Sequence, residues 1–248
     1  IAASLLLRKK TSGLLVEDSR LDLLPDGPSG PRRFKIKAVD NSSRRGLIDN
    51  LLRERYAWRG YESVSLAADR AVHCFTLAAI GDDTPIGTIT VNMDIGRPLG
   101  ADDAFSAELN ELRAQGRRLC EFTKLAIDPT TATKRVLAAL FHVAYIVAHR
   151  LRQYDTLVAE VNPRHVLYYE RMLGMRVIGG QRLNRRVRAP AVLLCVSFAE
   201  IGRQVATYGG RPDLAGEVRS LYPFVFSPTE EEDVLARLLA AQERRARP

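Results

Sequence analysis

The stretch Arg118-Leu119-Cys120-Glu121-Phe122-Thr123-Lys124-Leu125-Ala126-Ile127-Asp128-Pro129 is an apolar run with two opposite charges in its middle. An apolar run bounded by turn residues predicts a strand in the interior of a sheet. Burying a charge in such a strand costs free energy, so Glu121 and Lys124 need a reason to be there. We therefore take this strand as the first candidate for chemistry. An ion pair at the end of the sheet, without a catalytic role, is the alternative.

The spacing of the two charges makes a structural prediction. Residues three apart on a regular strand point to opposite faces of the sheet. A one-residue bulge between them would bring both to one face, and bulges are common where a side chain is re-aimed near a site. We predict such a bulge near Phe122 to Lys124.

Composition describes a soluble, globular chain. Its 248 residues are 46% hydrophobic and 27% charged, which suits one large domain or a domain with added elements. The longest apolar runs are far shorter than the roughly 20 residues that span a bilayer, so no transmembrane segment is predicted. Cys74, Cys120 and Cys195 lack metal-site spacing, which predicts reduced core thiols in a cytoplasmic protein and no metal site.

The charge balance restricts the partners. With 37 Lys and Arg against 29 Asp and Glu, the formal net charge is +8, which attracts nucleic acid, anionic lipid or an acidic protein. The arginines are scattered through predicted helix ends and loops, without a dense basic helix or a stacking platform. This pattern argues against a nucleic-acid-binding module.

The pattern of elements predicts an α/β (α+β) fold. From Phe34 to Phe198 it indicates strand, helix, hairpin, helix, strand, helix, strand, helix and two strands, which is a mixed sheet flanked by helices. The last two strands are predicted at Met175 to Ile178 and at Ala191 to Phe198. The Pro- and Gly-rich residues 1–33 predict a partly disordered arm. Residues 199–248 predict a helical extension, and Ser227 and Glu230 have the spacing that begins its last helix.

Aromatic and arginine side chains are concentrated at the end of the first helix, at Arg53, Arg55, Tyr56 and Trp58. The planar fork of arginine binds a carboxylate through two hydrogen bonds, and aromatic rings can line an acyl slot. These residues are candidates for substrate binding. A surface arginine pair over core aromatics is the alternative.

Three stretches carry a family resemblance over about Phe34 to Phe198. They are Leu52-Arg53-Glu54-Arg55-Tyr56, Cys120 to Asp128, and Ala159-Glu-Val-Asn162-Pro163-Arg164-His165-Val-Leu-Tyr168-Tyr169-Glu-Arg171-Met-Leu-Gly174-Met. The chain resembles the long-chain N-acyl amino acid synthases, which are relatives of the acyl-homoserine lactone (autoinducer) synthases in the N-acetyltransferase-like (GNAT) superfamily. The resemblance implies a mostly antiparallel GNAT-like sheet with one splayed strand pair.

The resemblance also implies catalytic roles. In lactone synthases the central strand carries a glutamate and, three residues later, a basic residue, here Glu121 and Lys124. Those synthases usually have arginine at the second place, so Lys124 argues against homoserine-lactone chemistry. Glu121 would deprotonate the acceptor amine. Backbone N–H groups at the bulge would stabilise the oxyanion, with Phe122 and Thr123 there as substrate contacts.

The other implied site residues surround this strand. Tyr168 or Tyr169 would protonate the departing sulfur, with core aromatics as the alternative reading. The acyl chain would occupy an apolar slot between the splayed strands and the helix of Val136 to Leu151. The carboxylate of an amino acid acceptor would meet Arg53 or Arg55.

The predicted donor rests on a missing motif. Coenzyme-A-dependent relatives bind pyrophosphate with a Gly-rich loop at a helix N-terminus, whereas the equivalent loop Asp128–Arg135 contains no glycine. An acyl-phosphopantetheine thioester on an acyl carrier protein does not need that loop, and the acidic carrier suits the positive charge. No bound cofactor is expected, and the basic candidates for contacts to the carrier and its phosphopantetheine arm are Lys134, Arg135, Arg164 and Arg171.

Two further enzyme-like functions stay open at the level of sequence. The first is a GNAT N-acetyltransferase that uses an acyl-CoA donor. The second is an acyltransferase-like protein associated with an export system.

Overall fold

The structure is a computed structural model that describes residues 14–17, 34–39, 45–57, 66, 73–130 and 133–246. Its strands are β1 (Leu14–Glu17), β2 (Phe34–Ala38), β3 (Cys74–Gly81), β4 (Thr84–Met93), β5 (Leu119–Ile127), β6 (Thr156–Val161), β7 (Arg176–Asn184) and β8 (Ala189–Ser197). Its helices are α1 (Arg45–Ala57), α2 (Asp102–Ala114), α3 (Lys134–Tyr145, continued by a π-helical turn over Ile146–Leu151), α4 (Val166–Leu173), α5 (Phe198–Tyr208) and α6 (Pro228–Ala246). Single 3-10 turns cover Pro163–His165, Pro212–Gly216 and Tyr222–Phe224.

The strands form one sheet in the order β1-β2-β3-β4-β5-β6-β8-β7. Within the described residues, β5 and β6 are the parallel pair and the other neighbours are antiparallel. The predicted fold class is confirmed: a mixed, mostly antiparallel sheet flanked by helices, followed by a helical C-terminal segment.

Local chemistry explains the hairpin and the last helix. Asp82 and Asp83, at the turn between β3 and β4, both have positive φ, as a two-residue type I′ turn requires. At the start of α6, the Glu230 N–H donates to Ser227 Oγ and the Ser227 N–H donates to Glu230 Oε2. This reciprocal cap confirms the predicted start of the last helix.

Helices cover both faces of the sheet. On one face, here the α1–α2 face, Ile48 and Leu52 of α1 and Phe105 and Leu109 of α2 pack against the strands. On the opposite face, the α3 face, α3 packs together with α5 and α6 in the largest apolar core. The C-terminal helices therefore belong to the layer that covers the α3 face.

Two parts of the sheet differ from the predicted pattern. The short strand β1 pairs with β2 and was not predicted within the arm; the arm's other residues, where disorder was expected, lie outside the described residues. The strand β7 runs to Asn184, well past the predicted Ile178, because it pairs with β8 through two irregularities around Gly179. The division into residues 1–33, 34–198 and 199–248 stays a prediction.

Candidate active site

The strand β5 contains a bulge. On β4, Thr88 and Thr90 are two residues apart, but their partners on β5, Ala126 and Thr123, are three apart. Lys124 lies within this extra length and has a φ of 52°, in the left-handed region that side chains other than glycine rarely adopt. The predicted bulge is confirmed.

The strands β5 and β6 separate immediately before the bulge. They pair at Leu119–Thr156, Cys120–Leu157 and Glu121–Val158, although β5 continues to Ile127 and β6 to Val161. Backbone groups of β5 beyond this point that face β6 are therefore outside the ladder. The splayed pair implied by the family resemblance is present, and the gap opens directly after Glu121.

The Glu121 side chain is buried on the α1–α2 face. Its Oε2 accepts a hydrogen bond from the Gly100 backbone N–H at 2.8 Å and one from Asn92 Nδ2 at 3.4 Å. Burial raises the pKa of the Glu121 carboxyl, and the nearby Arg186 and the backbone donors offset only part of that effect. A carboxylate in this environment has more affinity for a proton than an exposed glutamate, as a general base requires.

Lys124 lies on the same face, half-buried. Burial lowers the pKa of its ammonium group, whereas Cys74 and Asp49 act in the opposite direction. The Cys74 thiol, directly across from Asn92, is influenced by both Glu121 and Lys124. The bulge thus brings the two charges of β5 to one face of the sheet, as the spacing predicted, and both act on the Cys74 thiol.

Sequence reasoning missed two further charged residues at this gap. Glu160 lies on β6, and Arg186 lies in the turn between β7 and β8 and donates to Glu160 Oε2. Burial raises the pKa of Glu160 to about 7, against the opposing effect of Arg186. The sequence signal for Glu160 was available, because it interrupts the apolar strand Thr156–Val161 as Glu121 interrupts β5.

An apolar cavity lies on the α3 face of the same strands, with an empty volume of about 380 Å³. It lies between the splayed pair and α3, where the acyl slot was expected. Its walls come from β5 and β6, from α3 and α4, and from the C-terminal segment: Phe122, Ala138, Phe141, His142, Tyr145, Leu157, Leu173, Ile201, Val205, Leu221, Tyr222 and Val225.

The arginines predicted on the first helix already have acidic partners. Arg53, exposed on α1, forms two hydrogen bonds with Asp49, and Arg55 contacts Asp128 at 3.4 Å. Tyr56 packs beside the small core around Ile48. Trp58 lies outside the described residues.

The remaining predicted residues lie around the open end of the gap. Because β5 and β6 are parallel, the elements that follow them begin at the same edge of the sheet, which brings α3 and α4 together there. Tyr168 and Tyr169 of α4 meet edge to face with ring centroids 5.8 Å apart, and burial raises the pKa of Tyr168. The basic candidates at this edge are Lys134 and Arg135 at the start of α3, Arg164 in the turn after β6, and Arg171 on α4.

In the described part of the chain, no group of three or more His, Cys, Asp or Glu is placed to hold a metal ion. No helix among the described residues combines the length and apolar character needed to cross a bilayer.

Comparisons with known proteins agree with this geometry. A family model described as N-acyl amino acid synthase FeeM matches residues 48–197, more than half of the chain. Among solved structures, the chain is similar to FeeM from uncultured soil microbes, with a TM-score of 0.60 and 24% identity over 68% of this chain and 92% of that chain.

Lower similarity is found to two other solved structures. The AHL synthase LasI has a TM-score of 0.49 and 14% identity, covering 67% of this chain and 90% of that chain. An N-acetyltransferase from Staphylococcus aureus Mu50 has a TM-score of 0.46 and 12% identity, covering 67% and 98%. A search of curated protein sequences gives no significant match.

Proposed function

This chain belongs to the N-acyl amino acid synthase FeeM family of N-acyltransferases, and from that premise we propose that it transfers a long-chain acyl group from acyl carrier protein to the α-amino group of an amino acid. One observation carries the proposal: β5 presents a buried carboxylate on one face and an apolar cavity on the other, at the point where it separates from β6. Acyl chain and amine can therefore approach the gap from opposite faces.

Glu121 acts as the base in the proposed reaction. It takes a proton from the acceptor's ammonium group, directly or through a water molecule. The neutral nitrogen attacks the thioester carbonyl carbon and the C–N bond forms. The nitrogen then releases its second proton to water as the C–S bond breaks. An α-amino group has a pKa near 8, so a carboxylate with a raised pKa is a sufficient base.

Charge on the carbonyl oxygen and on the leaving sulfur also needs stabilisation. Backbone N–H groups at the bulge would donate to the oxyanion, because the β5 backbone leaves the β6 ladder there. Lys124 adds positive charge on the same face as Glu121. The departing thiolate takes a proton from Tyr168 or Tyr169 at the open edge.

The cavity on the α3 face is the proposed acyl slot. Its lining is almost entirely apolar, as a site for a hydrocarbon chain requires. Phe122, stacked on Phe141 at a centroid distance of 6.2 Å, forms the wall next to the gap. An acyl chain that passes this wall would leave its thioester carbonyl between β5 and β6.

The proposed donor is a carrier protein whose single phosphodiester needs no glycine-rich loop. Lys134 and Arg135 begin α3 at the mouth of the gap, and Arg164 is exposed in the turn after β6. Their charge at this edge, together with the net charge of +8, suits an acidic partner. The cytoplasm, where acyl carrier proteins are acylated, is the proposed location.

Mass spectrometry of product formation tests the proposal. Purified protein is mixed with the twenty amino acids and, separately, with long-chain acyl carrier protein, long-chain acyl-CoA or acetyl-CoA. We expect a long-chain N-acyl amino acid from the carrier protein, and the same product in lipid extracts of cells that express the wild type but not Glu121→Gln. Turnover with acetyl-CoA alone would contradict the proposal.

A further inference from the structure

A second carboxylate faces the gap beside Glu121. Glu160 follows Val158 by two residues on β6, and Val158 pairs with Glu121, so both carboxylates lie on the α1–α2 face. The Glu160 side chain is only 6% exposed. Its Oε2 accepts from Asn184 Nδ2 at 3.0 Å and from Arg186.

The other oxygen of Glu160 is unsatisfied. Oε1 is buried, and no donor among the described residues forms a hydrogen bond with it. Leaving a buried carboxylate oxygen without a donor is costly, and such an atom in a native structure needs an explanation. A cationic ligand group at the gap would supply the missing donor.

Arg186 links this carboxylate to Glu121. Its guanidinium packs so closely on Gly100 that a Cβ there would lie 2.0 Å from Nη1, and the Gly100 N–H donates to Glu121. Its Nε lies 3.7 Å from Asp103. The Arg186 side chain is 44% exposed, so a solute can reach the guanidinium from solvent.

We propose that Glu160 and Arg186 form the binding site for the zwitterionic acceptor, with its ammonium group on Glu160 Oε1 beside Glu121 and its carboxylate on Arg186. The inference rests on the proposed function, because it assigns the acceptor of that reaction. A zwitterion brings both charges that the Glu160–Arg186 pair needs. It therefore enters without leaving a buried charge unpaired.

Geometry favours Arg186 over the arginines of α1 for this role. Arg55 contacts Asp128, which follows Glu121 on the chain by seven residues (128 − 121), and this separation is roughly 20 Å along a strand. The amino and carboxylate groups of an α-amino acid are joined through one carbon atom and cannot span that distance. Arg53 is exposed and bound to Asp49.

Equilibrium binding without a donor tests the site. The full chain is titrated calorimetrically with each of the twenty L-amino acids and with the amines that lack only the carboxyl group. We expect at least one amino acid to bind, and its matched amine to bind about 10- to 100-fold more weakly, as expected for the loss of one charge-assisted hydrogen-bond pair. Arg186→Gln should abolish this preference, and Glu160→Gln should weaken both ligands.

Two variants separate binding from folding. Arg182→Gln removes an arginine of the same hairpin that is similarly exposed at 43% and pairs with Glu108; it should bind like the wild type. Arg186→Lys keeps the charge but not the fork, so it should keep part of the preference for the carboxylate. Melting temperatures identify any variant that has lost its fold.

Kinetics distinguish failure of the site from failure of the function. If the wild type makes an N-acyl amino acid while Glu160→Gln and Arg186→Gln leave the acceptor KM within about twofold, the site is wrong and the function stands. If no thioester is used but amino acids bind in an Arg186-dependent way, the site stands and the function falls. If none of the twenty binds at about 10 mM, which corresponds to a very weak interaction, the site is overturned.

Discussion

Neighbouring residues of β5 lie in opposite environments. On the α3 face, Phe122 borders an apolar cavity that α5 and the segment around Tyr222 help to enclose. On the α1–α2 face, Glu121 accepts from a backbone N–H and shares the face with Lys124, with Glu160 and Arg186 nearby. The strand therefore separates a site for hydrocarbon from a site for charges, and the gap to β6 connects them.

The difference shows where this fold gives up stability for chemistry. A cavity on the α3 face forgoes the dispersion contacts that a filled core would make. Buried carboxylates on the other face carry a desolvation cost that their hydrogen bonds offset only in part. Substitutions that remove either cost should stabilise the protein and reduce its activity.

Glu121→Gln should have the largest effect, because it removes the proposed base from the polar face. We expect kcat to fall about 100- to 10,000-fold, the usual contribution of a general base. In the wild type, kcat should rise with pH through the raised pKa of Glu121 as the base loses its proton. Thiol release from the acyl donor, followed as a function of pH, measures both.

Stability should change in the opposite direction. Burial places the pKa of Glu121 in the folded state above the unfolded value of about 4.3, so the folded state binds this proton more tightly. Wild-type stability therefore falls as pH rises from the unfolded pKa to the folded pKa. The uncharged Glu121→Gln variant should therefore have the higher melting temperature at pH 8. The control is Glu108→Gln, which removes a carboxylate of α2 that is paired with Arg182 of β7. Near-normal turnover in the Glu121→Gln variant would rule out Glu121 as the base.

Lys124→Gly tests whether the backbone strain at the bulge is kept because the Lys124 ammonium group contributes to the reaction. The left-handed conformation costs a non-glycine residue about 1–2 kcal/mol, so glycine should keep or raise the free energy of unfolding in urea. Loss of the ammonium group should lower kcat/KM about 10- to 100-fold, as expected for one charged hydrogen bond. Lys124→Ala loses the amine but keeps the strain, and it should be the less stable variant. Equal stability of both would show that the bulge carries no strain.

Local patterns predicted most of β5 because its chemistry is local. Two charges that are three positions apart on one strand require a bulge if both are to share one face, and Thr88, Thr90 and their partners show that bulge. The hairpin turn at Asp82 and the cap at Ser227 are also properties of a few adjacent residues.

The rest depends on contacts between distant residues. The cavity exists because the segment around Tyr222, whose hydroxyl donates to the Leu173 carbonyl, lies against α3 without filling the space beside Phe122. Arg186 matters through its packing on Gly100, which no spacing in the sequence indicates. Glu160 could have been found by the argument that found Glu121.

Ala138→Leu tests the apolar side of the comparison. Ala138 lines the cavity, so a larger side chain should occupy part of the acyl slot. We expect the products to shift toward shorter acyl chains and kcat/KM for the longest chains to fall about tenfold, a loss of about 1.4 kcal/mol. Competition between donors of different length, read by mass spectrometry, measures the shift.

The neighbouring residue supplies the control for this change. Ala139 is equally buried on α3 but is not part of the cavity wall, so Ala139→Leu should overpack the core and destabilise it by about 1–3 kcal/mol. Ala138→Leu should be tolerated better, because this position faces the cavity. An unchanged product profile in a folded Ala138→Leu protein would place the acyl chain elsewhere.

Glu231→Gln should have the smallest effect on the reaction, because it loosens the outer wall of the apolar side without entering the cavity. Glu231 accepts from His142 Nε2 at 3.0 Å and from Arg150, and the Phe226 N–H donates to His142 Nδ1 at 3.0 Å. Burial alone would raise the pKa of Glu231, but His142 and Arg150 lower it. The stabilisation that the Glu231 carboxylate contributes is therefore present above the unfolded pKa of about 4.3 and is lost as pH falls through the folded pKa.

We expect the free energy of unfolding in urea at pH 7 to be about 1–3 kcal/mol lower for Glu231→Gln than for the wild type. This difference should shrink below pH 4. Glu232→Gln removes an exposed partner of Arg150 and should change stability by less than about 1 kcal/mol; equal effects of the two variants would show that the buried carboxylate does not hold α6 against α3.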